Sequence, residues 1–383
     1  MSQLNIDPRY PDIPYLRARA RRRVPGFAFD YLEGGCNAEV NLRRNTADIR
    51  EVQLRPYYLN GHGAVSTETE LFGKTYSAPF GIAPMGLQGM MWPRASEILA
   101  QAAYEHNIPY VLSTVGTASI ETIAEITRGQ AWFQLYHPAD NRLRDDLLDR
   151  CAAAEYPVLV LLSDVPGFGY RPKEMRNGLA IPPRMTLRNV LQMMGKPAWA
   201  FGTLRAGKPR FRTLEPYIPG GMNLKHLGLF MNQTFNGRLD ETKIRAIRDR
   251  WKGKLVLKGV ASVEDTEKAI AWGLDGIIVS NHGGRQLDAG ESSIRSLEAI
   301  VRMYGGKIKI MMDSGIRTGP DIVNTLATGA EFTFLGRSFM YGVAAMGRAG
   351  GHQTVAILKR QVQQVMEQLC CERVSDLPRH WIR

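Results

Sequence analysis

The amino-acid sequence predicts an α/β protein folded as a single (β/α)8 TIM barrel. Eight short apolar or β-branched runs recur along the 383 residues and alternate with stretches of helical periodicity. Most of these runs are apolar throughout, which is typical of parallel strands buried on both faces of the sheet. Polar or charged residues follow nearly every run, as expected where a barrel carries its site at the carboxyl ends of its strands. An open, doubly wound sheet would concentrate such residues at one switch point instead.

The predicted strands and three helix starts follow one another along the chain. The strands are residues 80–83, 109–112, 132–136, 158–162, 255–257, 276–279, 308–312 and 332–335. Helices are predicted to begin after Ser119, over residues 120–126, and after Ser292, in a stretch that ends at Gly305. A third begins after Thr318, with Pro320 in its first turn, where proline is favoured. We therefore treat residues 1–383 as one barrel domain.

One connection interrupts this alternation, between the fourth and fifth predicted strands. It holds about ninety residues, whereas a dozen or so suffice for a crossover. Residues 171–238 carry twelve Lys or Arg and two acids, Glu174 and Glu215, so this segment contributes +10 of the net charge of +12. We expect a long basic insertion after the fourth strand of the barrel.

The insertion also has an amphipathic pattern. Leu187, Val190, Leu191 and Met194 fall at positions i, i+3, i+4 and i+7, with arginine neighbours. Two interpretations stay open: the segment covers the active site and its charges are solvated, or residues 184–230 make a peripheral contact with a membrane surface. We expect no nucleic-acid partner, because no recognised binding fold or stacking motif accompanies the charge.

Composition and cysteine usage bound the class of protein. With 44% apolar and 22% charged residues, the chain is predicted to be globular rather than disordered. Cys36, Cys151, Cys370 and Cys371 have neither metal-ligand nor disulfide-framework spacing, so we expect a reducing compartment and no metal site. The first residues lack the apolar core of a secretory signal, and no run approaches the roughly 18 apolar residues that cross a bilayer. We expect a protein in the cytoplasm, or peripheral on the cytoplasmic side of the inner membrane.

The residues after the last strands fit a flat cofactor with a phosphate tail. Residues 313–317, Asp-Ser-Gly-Ile-Arg, and the pair Gly336-Arg337 follow the seventh and eighth strands, where barrels commonly bind phosphate. Lys258 leaves the fifth strand at the barrel mouth, where its charge could neutralise negative charge on a reduced ring system. A structural ion pair is the alternative role for this lysine.

His282 is the candidate general base, because imidazole accepts a proton near neutral pH. A single histidine at a strand end is more often merely hydrogen-bonded. Here Arg285 follows three residues later with a planar fork suited to a carboxylate, and Asp164 after the fourth strand could orient the imidazole. Gly283 and Gly284, which lie between His282 and Arg285, allow the chain to turn sharply there. The combination favours a catalytic role.

Residues 280–288, Ser-Asn-His-Gly-Gly-Arg-Gln-Leu-Asp, resemble the signature of the FMN-dependent L-2-hydroxy acid dehydrogenases and oxidases, which include lactate, glycolate and mandelate enzymes. The resemblance extends over residues 25–35, 83–86, 132–136, 258–259, 313–317 and 336–337, in the family's order. It implies a TIM barrel with an N-terminal helical extension, FMN as cofactor and a homotetramer. It also implies oxidation of a 2-hydroxy acid to the 2-oxo acid, with electrons passing to flavin N5.

The resemblance implies a role for each matched residue. His282 would be the active-site base with Asp164 as its partner, and the substrate's carboxylate and hydroxyl would be held by Tyr31, Tyr136, Arg171 and Arg285. The flavin would contact Pro84, Met85, Gly86, Ser113, Gln134, Lys258, Ser280, His282, Gly283, Arg285, Asp313, Gly315, Arg317, Gly336 and Arg337. Residues 286–288 are expected to brace the turn rather than react.

Three departures from the family pattern bear on the substrate. Leu162 replaces a threonine found near the flavin in many relatives, and Val115 replaces the bulky tryptophan of glycolate-type oxidases. Gly86, in place of alanine, is expected to leave space near the ring. These features, with Trp92-Pro93 and the basic insertion, look more like membrane-associated lactate and mandelate dehydrogenases than soluble oxidases. They predict an L-lactate-like or L-mandelate-like substrate.

The fate of the electrons is left open. A quinone or a cytochrome is the expected acceptor, and an oxidase that reduces O2 to H2O2 is the main alternative. A barrel isomerase that uses flavin or phosphate without net redox chemistry belongs to a different class. It would not need the carboxylate clamp of Tyr31 and Arg285. A non-catalytic basic surface-binding protein is the remaining alternative, and it would purify colourless.

Overall fold

Three helices and a small hairpin precede the barrel strands. The computed structural model describes residues 5–59, 63–179, 185–218, 234–235 and 238–383. The helices are α1 (Ile13–Arg23), α2 (Gly26–Glu33) and α3 (Val40–Glu51), and the hairpin pairs β1 (Thr69–Leu71) with β2 (Lys74–Tyr76). Phe72 at the hairpin turn contacts Trp132 inside the barrel, with ring centroids 5.9 Å apart. The hairpin thereby helps to close the amino-terminal end of the barrel.

Eight parallel strands form the predicted barrel. They are β3 (Phe80–Ile82), β4 (Val111–Ser113), β5 (Trp132–Leu135), β6 (Val158–Leu162), β7 (Lys254–Val260), β8 (Gly276–Val279), β9 (Lys309–Met312) and β10 (Phe332–Leu335). Neighbours in sequence are neighbours in space, and β10 returns to pair with β3. The barrel closes between β3 and the start of β4. There the backbone N–H of Ile82 donates to Pro109 O at 2.8 Å, and Ile82 forms a bridge with Tyr110.

The strands alternate with helices along the chain, which is the order that the sequence predicts. The remaining helices are α4 (Gln88–Met91), α5 (Ala95–Glu105), α6 (Ile120–Thr127), α7 (Asn141–Ala153), α8 (Pro172–Arg176), α9 (Leu187–Met194), α10 (Pro197–Ala206), α11 (Glu241–Arg250), α12 (Val263–Ala271), α13 (Ser293–Tyr304), α14 (Gly319–Ala327), α15 (Arg337–Met346) and α16 (Ala349–Leu369). All three predicted helix starts are confirmed. Ser119 caps α6 by accepting from Thr122 N, Thr318 forms a capping box with Asp321, and α13 begins after Ser292.

Two apolar cores flank the barrel wall, because successive strand residues point to opposite faces. On β6, Val160 belongs to the cluster that fills the barrel interior, whereas Leu161 belongs to the larger cluster between strands and helices. Trp132, Phe332 and Phe334 dominate the interior, where each is almost completely buried. The interior is therefore packed with side chains at its lower end, and chemistry is confined to the carboxyl ends of the strands.

The long insertion lies between β6 and β7 and contributes α8, α9, α10 and a 3-10 turn at Glu215–Tyr217. The predicted amphipathic helix is confirmed as α9, and three of its apolar side chains face solvent: Leu187, Leu191 and Met194 are 76%, 60% and 72% exposed. Trp199 ties α10 to the barrel by donating to Met90 O at 3.1 Å. Residues 180–184, 219–233 and 236–237, and with them much of the predicted 184–230 contact, lie outside the described residues. In the part of the chain that the structure describes, the helices are too short or too polar to cross a bilayer.

Candidate active site

The carboxyl ends of the barrel strands open into a cavity of about 2090 Å3 beneath the insertion. Its wall includes seventeen of the predicted site residues in two groups. One group would meet a cofactor: Pro84, Met85, Gly86, Ser113, Gln134, Lys258, Gly283, Asp313, Gly315, Arg317, Gly336 and Arg337. The other would meet a substrate: Tyr31, Tyr136 and Arg171, with His282 and Arg285 shared between the two roles. Asp164 and Ser280 lie just behind the wall, where they contact His282 and Lys258.

His282 and Asp164 form a close pair at the cavity wall. The Nδ1 atom of His282 lies 3.0 Å from Asp164 Oδ1, although the two residues come from the exits of different strands. The backbone of His282 is left-handed, with φ 59°, and its N–H donates to Ser280 Oγ at 3.1 Å. A non-glycine residue in that conformation is strained by about 1–3 kcal/mol, and such strain is concentrated at functional sites.

Burial and charge set the protonation of this pair. Burial lowers the pKa of His282 more than the neighbouring Asp164 carboxylate raises it, so the imidazole is neutral near pH 7. Burial also opposes ionisation of Asp164, but Lys258 and the hydrogen-bonded His282, which is protonated in the acid range where the carboxyl titrates, hold its pKa below the usual range. Its second oxygen, Oδ2, is buried and has no hydrogen-bond partner among the described residues. A neutral imidazole backed by an ionised carboxylate is the arrangement of a general base.

Lys258 lies in a buried polar cluster at the centre of the barrel mouth. Its Nζ is 2.9 Å from Asp313 Oδ2 and donates to Ser280 Oγ at 2.9 Å. Burial alone would lower the pKa of Lys258, but the Asp313 carboxylate, and then Asp164, raise it, so the lysine is charged. The two roles considered for Lys258 from the sequence, a structural ion pair and a charge that faces a cofactor, are therefore compatible. The lysine is ion-paired and also lines the cavity.

Gln134 presents an unsatisfied donor to the same region. Its Oε1 accepts from Ser113 Oγ at 2.9 Å, which fixes the amide, yet its buried Nε2 has no acceptor within the described ranges. Buried polar groups are nearly always hydrogen-bonded in folded proteins. An acceptor-bearing ring bound in the cavity is the simplest partner for this amide.

Two arginines form a basic cradle beyond Lys258. Among the described residues, Arg337 donates only to backbone carbonyls, those of Leu32, Gly283 and Gly34, and Arg317 donates to its neighbour's carbonyl. Within the described part of the chain, neither pairs with a carboxylate. Burial, and then the nearby Arg317 and Arg285, lower the pKa of Arg337 to about 9. Gly315, at φ +87°, turns the loop beside them. A phosphate group would supply the missing negative charge.

Arg285 and Tyr31, which are predicted to hold a substrate carboxylate, lie together with Arg171, and Glu174 contacts both arginines, which we call the arginine clamp. Arg285 Nη1 donates to Tyr31 O and Gly34 O at 2.7 and 2.9 Å, and its Nη2 donates to Glu174 Oε1 at 2.6 Å. Arg171 Nη1 lies 3.4 Å from the same Glu174 oxygen. The guanidinium of Arg285 stacks over the Tyr31 ring at 4.8 Å, and burial raises the pKa of that phenol, which stays protonated.

Glu174 was missed by the sequence reasoning, which counted it only as one of two acids in the basic insertion. The spacing of Arg171 and Glu174, three residues apart at the start of a helix, is a local signal that could have found it. Gln286 behaves as expected of a brace, since it accepts from Arg171 Nη2 at 3.0 Å and donates to Gly167 O at 2.8 Å. Asp288 likewise accepts from the backbone N–H groups of Ala38 and Asn41.

The expectation that Gly86 leaves free space is wrong. A Cβ atom at Gly86 would lie 2.9 Å from Val115 Cγ2 and 3.8 Å from the Tyr31 hydroxyl. The glycine therefore makes room for Val115, which lines the cavity and packs with Leu214 and Phe235. Any widening of the pocket comes from the small size of Val115 and not from a gap at Gly86.

Comparisons with known proteins agree along nearly the whole chain. The family model described as FMN-dependent dehydrogenase matches residues 20–383. The L-lactate dehydrogenase of Vibrio cholerae serotype O1 (strain M66-2) is 38% identical over 364 residues, which cover 95% of this chain and 96% of that protein. The solved structure of the monotopic membrane protein (S)-mandelate dehydrogenase has a TM-score of 0.91 and 34% identity, and the match covers 97% of this chain and 98% of that one. A mandelate oxidase with benzoyl-formic acid gives a TM-score of 0.82 and 30% identity, with 97% of each chain covered.

Proposed function

Because the chain belongs to the FMN-dependent dehydrogenase family, we propose that it oxidises an L-2-hydroxy acid to the 2-oxo acid with His282 as the base. Its class is that of the FMN-dependent hydroxy acid dehydrogenases of lactate and mandelate type, and FMN is its cofactor. The observation that carries the proposal is the His282–Asp164 pair, 3.0 Å apart, in the cavity that also contains the arginine clamp. The family assignment argues against a non-redox isomerase and a non-catalytic surface protein.

The residues of the cavity fit FMN. The buried amide of Gln134, which lacks an acceptor among the described residues, suits a carbonyl of the isoalloxazine ring. The charged Lys258 suits a ring that gains negative charge on reduction. Arg317 and Arg337 suit the phosphate, since they carry positive charge without a carboxylate partner in the described chain. When bound, FMN accepts the two electrons that leave the α-carbon of the substrate.

In the proposed reaction, His282 takes up the substrate proton. Its Nδ1 faces Asp164, so a proton on that nitrogen is donated to the carboxylate and Nε2 is left to accept. Asp164 stabilises the imidazolium that forms and keeps the ring in one orientation. Arg285, Arg171, Tyr31 and Tyr136 would bind the carboxylate and the hydroxyl. Whether the electrons leave as hydride or after proton removal from carbon does not alter these roles.

We propose a lactate-like or larger, mandelate-like monocarboxylic acid as the substrate. Val115 and Leu162 give the cavity an apolar wall, which a small acid would not need. An apolar wall suits the side chain of a larger acid. The test is anaerobic bleaching of the bound flavin by a panel of L-lactate, glycolate, L-mandelate and longer-chain acids. If no acid bleaches the flavin of the yellow enzyme, the substrate class is refuted while the cofactor assignment stands.

The base is tested by His282→Ala. The variant should bind FMN and lose flavin reduction by substrate by about 10²–10⁴-fold, the usual contribution of a general base. His352→Ala, on the distant helix α16, is the matched control and should react normally. Near-normal reduction of His282→Ala in a stopped-flow trace would refute the assigned role.

We propose that electrons pass on to a quinone or another membrane-associated acceptor, from a homotetramer on the cytoplasmic side of the inner membrane. The support is a surface next to the cavity where apolar and basic side chains lie together. Leu191, Met194, Phe201 and Leu204 are exposed there, and Lys196 Nζ donates to Arg22 O at 2.8 Å, which brings the basic end of α1 beside α9 and α10. Such a surface suits the interface of an anionic bilayer.

Membrane contact and acceptor are tested separately. A triple serine variant of Leu187, Leu191 and Met194 should lose binding to phosphatidylglycerol vesicles, whereas Met303→Ser, at a residue that is also exposed but lies on α13, should not. A parent protein that does not sediment with vesicles would refute membrane contact.

An oxidase is the second candidate, because one similar structure is a mandelate oxidase. Enzyme reduced without air and then mixed with O2 distinguishes the two by its rate of reoxidation and its yield of peroxide, and light scattering tests the tetramer.

A further inference from the structure

A buried triad of charges lies at the clamp side of the cavity: Arg171, Glu174 and Arg285. Their side chains are 14%, 11% and 13% exposed, and one oxygen of Glu174 is shared by both arginines. Glu174 sits on α8, and its position is held because Leu179 N donates to Glu174 O at 2.8 Å and Asn177 Nδ2 donates to Asp30 Oδ2 at 2.8 Å. The carboxylate is therefore a built part of the clamp.

Arg285 Nη2 donates to Glu174 at 2.6 Å, and all three residues of the triad line the cavity. The other terminal nitrogen of Arg285 is taken by two backbone carbonyls, those of Tyr31 and Gly34. A substrate carboxylate must therefore share Arg285 with Glu174 or displace it. This places the two carboxylates close together, where they repel each other in a partly desolvated site.

The charge balance of the clamp follows from these contacts. Two guanidinium groups and one carboxylate leave a net charge of +1. The other acid of the insertion, Glu215, also lines the cavity, but its charge is engaged by Arg210 and Arg212. Lys173, next to Glu174 in sequence, is engaged with Glu39 at 2.7 Å. Tyr31 and Tyr136 are neutral, because burial raises the pKa of each phenol. One substrate carboxylate thus neutralises the clamp, and a second would leave an excess of negative charge.

We propose that Glu174 is a specificity residue that restricts the clamp to monocarboxylic 2-hydroxy acids and discriminates against dicarboxylic ones. The inference rests on the proposed function, because it assumes that Arg171 and Arg285 bind the substrate carboxylate. Glu174 acts through the charge that it adds to these arginines and takes no part in proton or electron transfer. It sets the affinity of the clamp for anions.

The experiment measures anion binding to the oxidised holoenzyme, by perturbation of the flavin absorbance, with propionate and malonate as unreactive probes. The wild type should bind propionate at least about tenfold more tightly than malonate, as expected for one unbalanced charge near a low-dielectric site. Glu174→Gln keeps the shape and the acceptor oxygen but removes the charge. It should tighten malonate about tenfold and propionate much less. Glu174→Asp, which keeps the charge, should retain the wild-type order.

Glu121→Gln is the matched control, because Glu121 also forms an ion pair with an arginine, Arg150, but does not line the cavity. It should leave both dissociation constants unchanged. Equal weakening of both anions in Glu174→Gln would assign the residue a structural role and overturn the proposal. A wild type that prefers malonate would overturn it without any variant. Failure of every 2-hydroxy acid to bleach the flavin would refute the proposed function instead, since these binding measurements need no turnover.

Discussion

Replacing Asp164 by asparagine removes one charge from the His282 pair and keeps its shape. The asparagine oxygen can still accept from Nδ1, so the imidazole should stay in place. At the observed 3.0 Å, the attraction between full charges is about 5 kcal/mol at an effective dielectric of about 20. If the proton is about half transferred in the transition state, roughly half of that attraction is lost. We expect flavin reduction to slow by about 100-fold, with FMN retained.

The same variant should also shift the pH dependence of kcat/KM in a defined direction. His282 must be neutral to accept a proton, and burial already lowers its pKa while Asp164 raises it. Without the carboxylate the pKa falls further, so the acid limb of kcat/KM for Asp164→Asn should move to lower pH even as the plateau falls. Anaerobic stopped-flow measurements across the acid range provide both quantities. A loss below about fivefold, or a limb that moves to higher pH, would refute the pairing argument.

Three further changes test the cofactor site and the pocket. Arg337→Gln should weaken FMN binding about 10–100-fold in a fluorescence titration, whereas the exposed Arg348→Gln should not, because only the former loses a charge-assisted contact. Lys258→Met leaves Asp313 buried without its 2.9 Å partner, so the apoprotein should lose about 3–5 kcal/mol of stability in a denaturant melt. Val115→Trp should lower kcat/KM for L-mandelate at least tenfold and affect L-lactate little, since Val115 lines the cavity.

Much of the fold follows from local patterns. Apolar runs with polar exits predict the eight strands, and caps such as Ser119 and Thr318 locate helices within a residue or two, because capping is decided by neighbours in the chain. The amphipathic spacing around Leu191 likewise predicts α9. Sequence alone leaves open which surface that helix presents, since the contacts of Gln192 with Phe27 of α2 and of Trp199 with Met90 of α4 decide it.

The candidate site divides in the same way. The turn from Ser280 to Arg285 is readable because its residues are adjacent, and their functional roles remain predictions. The pairing of Glu174 with Arg285 joins residues 111 positions apart, and no local pattern encodes it. The space expected at Gly86 differs for the same reason, because Val115 reaches it from the turn after β4.

The sequence by itself determined the barrel, the strand-end chemistry and, through its resemblance to a family, FMN and a hydroxy acid substrate. These depend on periodicity and on short motifs, which are properties of consecutive residues. Only the tertiary structure decided that one carboxylate occupies the arginine clamp, that two arginines meet without a carboxylate in the described chain, and that apolar side chains of α9 face solvent beside basic ones. Charge balance and exposure depend on distances between remote segments, and folding sets those distances.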